Sequence, residues 1–328
     1  VFLGIEIGGT KLQLGVGTGD GAKLIELLRV DVDPAHGADG IVENIRRLGR
    51  VLIPRHDIQR IGIGFGGPID PANGRVITSH QVAGWDGFPL KDWCEEELQR
   101  PTILGNDCDC AAVAEAIHGA GKGHRTVFYI TVGTGVGGGL VIDGQLQGLG
   151  RPAVAEIGHL RPGLNADQPH LSVESLASGP GIESTVRAML AAEEIHPLSP
   201  LKNSSLEIRD DDKLDLISRS SGNVDEISAK HIADAAMDGN ELALAAIQQA
   251  TQTLGWAIAQ VISLIAPEVV VVGGGVSLAG DELFYEPLRE QVSRYVFPPL
   301  AESYHIAAPQ FGETVVVQGA VTRACNNA

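Results

Sequence analysis

Glycine is gathered rather than spread in this chain: 42 of the 328 residues are glycine, nearly twice the usual ~7%, and many fall in short runs that end apolar stretches. Phe2 to Ile7 reads as a strand, Gly8-Gly9-Thr10 as a tight turn and Lys11 to Val16 as the returning strand. The same grammar restarts later, with Val127 to Val132 as a strand, Gly133 to Gly139 as a glycine turn and Leu140 to Ile142 as a strand. A third cluster, Gly273-Gly274-Gly275, follows the apolar run Val269 to Val272 and precedes a helix expected near residues 281 to 296. Tips of this kind let backbone N–H groups approach an anion because no Cβ intervenes, and the first two each carry a hydroxyl, Thr10 or Thr134. A plainer reading of any one tip is a turn that needs positive φ. Five glycines within Gly133 to Gly139 exceed what a two-residue hairpin demands.

The surrounding pattern is α/β. Lys23 to Val32 reads as a third strand, Ile41, Ile45, Leu48 and Leu52 share one helix face, and Ile61 to Phe65 is a strand ending in Gly66-Gly67-Pro68. Leu90, Trp93, Cys94 and Leu98 mark an amphipathic helix. Thr102 to Gly105 is a short buried strand and Asp107 to His118 an alanine-rich helix behind it. From about residue 180 the pattern turns helical, with a long helix near Glu241 to Ile265. Residues 196–226 carry Asp210, Asp211 and Asp212 in a row with little periodicity, which reads as a polar surface insertion.

Composition excludes several classes. With 41 acidic and 24 Lys plus Arg residues the formal charge is −17, and no basic stripe exists for nucleic acid. No apolar run approaches the roughly 18 residues that span a bilayer. Cys94, Cys108, Cys110 and Cys325 form no paired C-x-x-C spacing, so neither a disulfide framework nor a cysteine zinc cage is expected, and a reducing cytoplasm is the expected location. No Walker loop is present, since Gly121-Lys122 is followed by Gly123. Two G-x-G-x-x-G strings occur, at Gly62, Gly64, Gly67 and at Gly133, Gly135, Gly138, but neither opens a helix as a dinucleotide fingerprint must.

Five strings in order, Ile5-Glu6-Ile7-Gly8-Gly9-Thr10-Lys11, Asn106-Asp107, Gly133 to Gly139, Glu156-Ile157-Gly158-His159 and Val272-Gly273-Gly274-Gly275, resemble the ROK family of repressors, open reading frames and kinases. The resemblance covers roughly residues 3 to 322. It implies the actin-like, hexokinase-type α/β fold: a smaller domain from residues 1–117 plus about 308–328, a larger one from 118–307, and a cleft between them. It also implies an ATP-dependent hexose kinase acting on the 6-hydroxyl of a sugar, glucose first, with ATP and Mg²⁺ as cofactors and a homodimer as the assembly. N-acetylhexosamine or fructose kinases of the same family, a sugar-sensing regulator and a degenerate sugar binder are the alternatives. Regulators of the family carry a helix-turn-helix ahead of the first phosphate loop, and Gly8 leaves no room for one in the sequence as it stands.

By the same resemblance, Gly8, Gly9, Thr10 and Lys11 form one phosphate loop, Gly133, Thr134, Gly135 and Gly137 the other, and Gly274 and Gly275 border the adenosine. Glu6 holds Mg²⁺ through water, at a position where many relatives have aspartate. Asp107 is the general base; on its own it also reads as a plain helix N-cap. Gly67, Asn106, Glu156, His159 and Glu174 face the sugar, and Trp85 matches the family's tryptophan segment.

The chain departs from the family at two places. Most relatives carry a C-x-C-G-x-x-G-C zinc string after the histidine, whereas Leu160 to Val173 contains no cysteine, so no structural zinc is expected. Gln81 stands where relatives usually have asparagine, and Cys108 and Asp109 replace small or amide residues after the base.

Overall fold

A computed structural model describes residues 1–79, 81–151, 153–163, 170–191 and 209–326. The chain divides into two compact units. The first holds residues Val1–Tyr129, Gly138–Ala155 and Ala307–Ala328, the second Ile130–Gly137 and Glu156–Ile306.

In chain order the first unit contains β1 (Phe2–Ile7), β2 (Lys11–Gly17), β3 (Glu26–Asp31), α1 (Gly37–His56), β4 (Arg60–Phe65), the short pair β5 (Ile69–Asp70) and β6 (Arg75–Val76), α2 (Leu90–Leu98), β7 (Thr102–Asn106) and α3 (Asp107–Ile117). Strands β8 (Thr126–Val132) and β9 (Val136–Ile142) each run from one unit into the other, and β10 (Gln145–Leu146) follows. Residues 118–129 and 138–155, expected with the larger domain, therefore group with the first unit. The local reason is that Gly139 of β9 lies against α3: an added Cβ there would stand 2.6 Å from the Ala112 Cβ and 2.9 Å from the Cys108 carbonyl oxygen.

The first sheet has the order β3-β2-β1-β4-β7, with β1 antiparallel to β2 and parallel to β4, and β4 parallel to β7. One face carries α1, whose Ile41, Ile45, Leu48 and Leu52 are all buried against Leu3, Ile5, Leu12 and Leu14, as their spacing anticipates. Each such side chain contributes ~1.5–3 kcal/mol when fully buried. The other face carries a stripe of glycines beneath the last helix of the chain, α10 (Val315–Asn326). A Cβ on Gly4 would stand 2.5 Å from the Val317 carbonyl oxygen, one on Gly15 2.5 Å from the Val317 Cγ1, and one on Gly62 would overlap the Ala320 backbone. Gly62 and Gly64 of the first G-x-G-x-x-G string thus serve helix packing; a Cβ on Gly64 would meet the Val316 side chain at 2.5 Å.

The second unit is mostly helical: α4 (Val173–Ala177), α5 (Gly179–Ala191), α6 (Asp210–Arg219), α7 (Ala229–Met237), α8 (Glu241–Ile265), β11 (Val269–Gly273), α9 (Glu286–Tyr295) and β12 (His305–Ala307), where the chain returns to the first unit. The second sheet has the order β10-β9-β8-β11-β12. Val269 to Val272 are fully buried. Of the stretch read as a polar insertion, residues 196–208 lie outside the described residues. The remainder includes α6, with Leu216 fully buried and Asp212 nearly so. The three aspartates form its first turn, where acidic side chains are favoured, and Asn240 Nδ2 donates to the Asp212 carbonyl at 2.9 Å. Among the described residues no helix is long and apolar enough to cross a membrane.

Candidate active site

Parallel pairing in the first sheet puts three strand ends side by side: Ile7 is in register with Phe65, and Phe65 with Asn106. The residues that follow, Gly8, Gly66 and Asp107, are gathered by that register alone. Gly8 N–H donates to the Lys11 carbonyl at 3.0 Å and closes the hairpin, while Gly66 N–H donates to the Ile7 carbonyl at 2.8 Å. A Cβ on Gly66 would stand 3.3 Å from Asp107 Oδ2 and 3.7 Å from the Gly8 Cα, so the missing side chain keeps a gap between carboxylate and glycine tip.

Asp107 is the first residue of α3, and the cap belongs to Asn106, whose side chain accepts from Cys108 N–H and Asp109 N–H. Asn106 Nδ2 donates to the Gly67 carbonyl at 3.1 Å, tying the β4 turn to the β7 end and leaving one amide hydrogen for a ligand. Asp107 Oδ1 accepts from Cys108 N–H at 2.8 Å. Burial raises its pKa to about 6; hydrogen bonds from Cys108 oppose the shift, and the Glu6 and Asp109 charges add to it. Desolvation outweighs the stabilisation that a helix start gives an anion.

Glu6 is buried at the end of β1, its Oε1 3.2 Å from Lys11 Nζ and its Oε2 accepting from Gln13 Nε2 at 2.6 Å. Burial raises its pKa, with Lys11 and Gln13 opposing. Gln13 faces Glu6 across the β1–β2 pair, a partnership strand alternation allows and the motifs alone did not signal. With both oxygens bonded in the fold, Glu6 fits a contact with Mg²⁺ made through water. Among the described residues no group of three metal-binding side chains forms a protein cage. Lys11 Nζ also donates to the Glu313 carbonyl at 3.4 Å, so the ammonium is anchored beside the tip. A Cβ on Gly9 would collide with the Gln81 side chain, which places Gln81 over the first tip. Trp85, by contrast, is core: it packs edge-on against Phe65 and Phe88, each at 5.2 Å, and supports the strand that ends at Gly66.

The second unit carries the other glycine tip. Strand β9 begins at Val136, so the turn is shorter than the glycine run and closes with Gly133 N–H donating to the Gly135 carbonyl at 2.8 Å. None of Gly8, Gly9, Gly133, Gly135 and Gly137 has positive φ, so a need for positive φ is not why these positions are glycine. Gly274 is different: its φ is 94°, and a Cβ would stand 2.5 Å from the Val132 carbonyl oxygen. A Cβ on Gly275 would meet nothing within 4 Å, and one on Gly133 only the Gly275 N–H nitrogen at 3.9 Å. Those two neighbouring glycines border space that none of the described residues fills. The helix expected after this cluster is preceded by a short 3-10 turn, Gly275–Ala279, and a π turn, Asp281–Tyr285.

Glu156 and His159 flank the 3-10 turn Ile157–His159, which lies so close to β9 that a Cβ on Gly158 would overlap the Val136 carbonyl. Although Glu156 as a residue is exposed, crowding of its carboxylate raises the pKa, with His159 opposing and Glu174 reinforcing. Glu174 sits in the first turn of α4 and its Oε2 accepts from Val136 N–H at 2.9 Å, a contact with the glycine tip that the motif did not announce. Of Leu160 to Val173, the segment where no structural zinc is expected, residues 164–169 lie outside the described residues.

The sequence matches the ROK family over residues 2–326. The chain belongs to the ROK family. It is 30% identical to a glucokinase of Thermotoga maritima over 324 residues, covering 98% of this chain and 96% of that one. A solved ROK family glucokinase from Streptomyces griseus, in complex with glucose and AMPPNP, superposes with a TM-score of 0.80 at 29% identity, covering 99% of each chain. A ROK hexokinase from Thermus thermophilus gives 0.78 at 25% identity, covering 99% of this chain and 98% of that one. The fold is accordingly the actin-like ATPase fold of ROK hexokinases.

Proposed function

We propose that this ROK chain is an ATP-dependent sugar kinase that transfers the γ-phosphoryl group to the 6-hydroxyl of a hexose, with glucose the first substrate to test. The observation that carries the reading is the carboxylate of Asp107, held beside the first glycine tip across the side-chain-free Gly66. A base with a pKa near the working pH accepts a hydroxyl proton while remaining largely ionised, and about 6 suits that task. Asp107 takes the proton of the sugar hydroxyl as its oxygen bonds to phosphorus and the bond to the ADP oxygen breaks; positioning supplies much of the acceleration.

In this reading Asn106, Gly67, Glu156, His159 and Glu174 orient the sugar hydroxyls, Gly133 takes the nucleotide phosphates, and Gly275 beside it borders the adenosine. Glu6 would hold Mg²⁺ through water, and the ion would offset the charge of the nucleotide phosphates. The relatives' names support glucose; N-acetylhexosamines and fructose are the competing acceptors. The test is ADP release from Mg-ATP with a hexose panel. Glucose-dependent release that disappears in Asp107→Asn, with nucleotide binding retained, is the expected result; no release with any sugar overturns the reading.

A further inference from the structure

The hydrogen bond between Glu174 and the second glycine tip is one that a sugar ligand alone does not require. Glu174 Oε2 accepts from Val136 N–H at 2.9 Å, and a Cβ on Gly135 would stand 2.7 Å from that same oxygen. A side chain at residue 135 would therefore push this carboxylate away from the tip. The tip is held on a second side by Gly179 N–H, which donates to the Gly133 carbonyl at 2.8 Å. Glu174 is not needed to start α4: Ser172 caps that helix in a reciprocal pair with Ser175. Among the described residues Oε1 of Glu174 has no hydrogen-bond partner, so one oxygen serves the loop and the other is open.

We propose that Glu174 is a positioning residue for the second phosphate loop: it fixes Gly135 and Val136 in the conformation that receives the nucleotide, and does so before any sugar arrives. The loop's N–H groups point at phosphate only if the backbone between Gly133 and Val136 is held, and a charge-assisted hydrogen bond is a strong way to hold it. The proposal rests on the kinase reading and deepens it, since the same carboxylate then touches loop and sugar.

Two measurements test it. Amide hydrogen exchange needs no ligand: in Glu174→Ala the Val136 amide is expected to exchange at least about tenfold faster, and in Glu174→Gln, which keeps an acceptor oxygen, close to the wild-type rate. Calorimetric binding of AMPPNP without sugar is expected to weaken about tenfold or more in Glu174→Ala and much less in Glu174→Gln. In steady state the alanine variant then raises KM for ATP as well as for sugar. Unchanged Val136 exchange in Glu174→Ala, or loss of sugar affinity with sugar-free AMPPNP affinity intact, overturns the proposal and leaves Glu174 a sugar ligand. Faster exchange in a protein that binds no AMPPNP even as wild type would overturn the kinase reading instead, and with it the nucleotide role.

Discussion

Asn106 caps helix α3 and Asp107, one residue later, does not: the amide oxygen of Asn106 accepts from Cys108 N–H and Asp109 N–H, so the Oδ2 of Asp107 remains available on the side of Gly66. The two acidic or amide side chains preferred at a helix start thus divide the work. Asn106 serves two backbone N–H groups, and Asp107 gives Oδ1 to one of them, Cys108 N–H, while its Oδ2 faces the glycine tip.

Activity is expected to rise with pH through about 6 and level off above it, because the base works only when deprotonated and burial holds its pKa at that value. The kcat/KM profile of Asp107→Asn should lose that limb while falling by about 10²–10⁴-fold. Stability has the opposite dependence. A carboxyl whose folded pKa lies above its unfolded value destabilises the fold once ionised, so Asp107→Asn should raise Tm at pH 8, and the gain should vanish below about pH 4. Equal Tm for both proteins at pH 8 would contradict the raised pKa.

Glycines of two kinds should respond differently to the same substitution. Gly62→Ala drives a methyl into the Ala320 backbone and should cost about 1–3 kcal/mol or more in urea unfolding as α10 is pushed off the sheet. Gly275→Ala meets none of the described residues, so Tm should hold while AMPPNP affinity falls about tenfold or more. If Gly275→Ala binds AMPPNP normally, the space beside Gly133 and Gly275 is not the nucleotide site.

His118, at the end of α3, has a buried Nε2 with no hydrogen-bond partner, and burial lowers its pKa. The folded protein holds it neutral at a pH where the unfolded chain already binds a proton. Stability is therefore expected to fall as pH drops below about 6.5, and the fall should be shallower in His118→Gln. Urea midpoints at pH 7.5 and pH 5.5 for the two proteins measure it; parallel losses would remove His118 as the cause.

Elemental analysis after purification without chelator should find no stoichiometric zinc, since Leu160 to Val173 supplies no thiolate. One zinc per chain would show that other ligands have replaced the cysteines.

Much of the fold is legible in the residues themselves. The helix face of Ile41, Ile45, Leu48 and Leu52, the long helix Glu241–Ile265 and the buried run Val269–Val272 follow from local periodicity, which depends only on residues near in sequence. Helix α6 was obscured because its aspartates resemble a charge run, and its burial comes from Leu216 and a contact with distant Asn240.

What the sequence by itself determined was which residues are chemically equipped: the glycine tips, Asp107, and the family to which the five strings belong. Why each glycine is there was decided only by tertiary structure. Gly62 yields to Ala320 of α10, Gly135 lies against the Glu174 carboxylate, and Gly133 and Gly275 yield to no side chain among the described residues. A residue without a side chain has no pattern of its own, and its purpose is visible only in what occupies the space beside it. The pKa of Asp107 belongs to the same category, because desolvation depends on neighbours that strand register, not chain order, brings together.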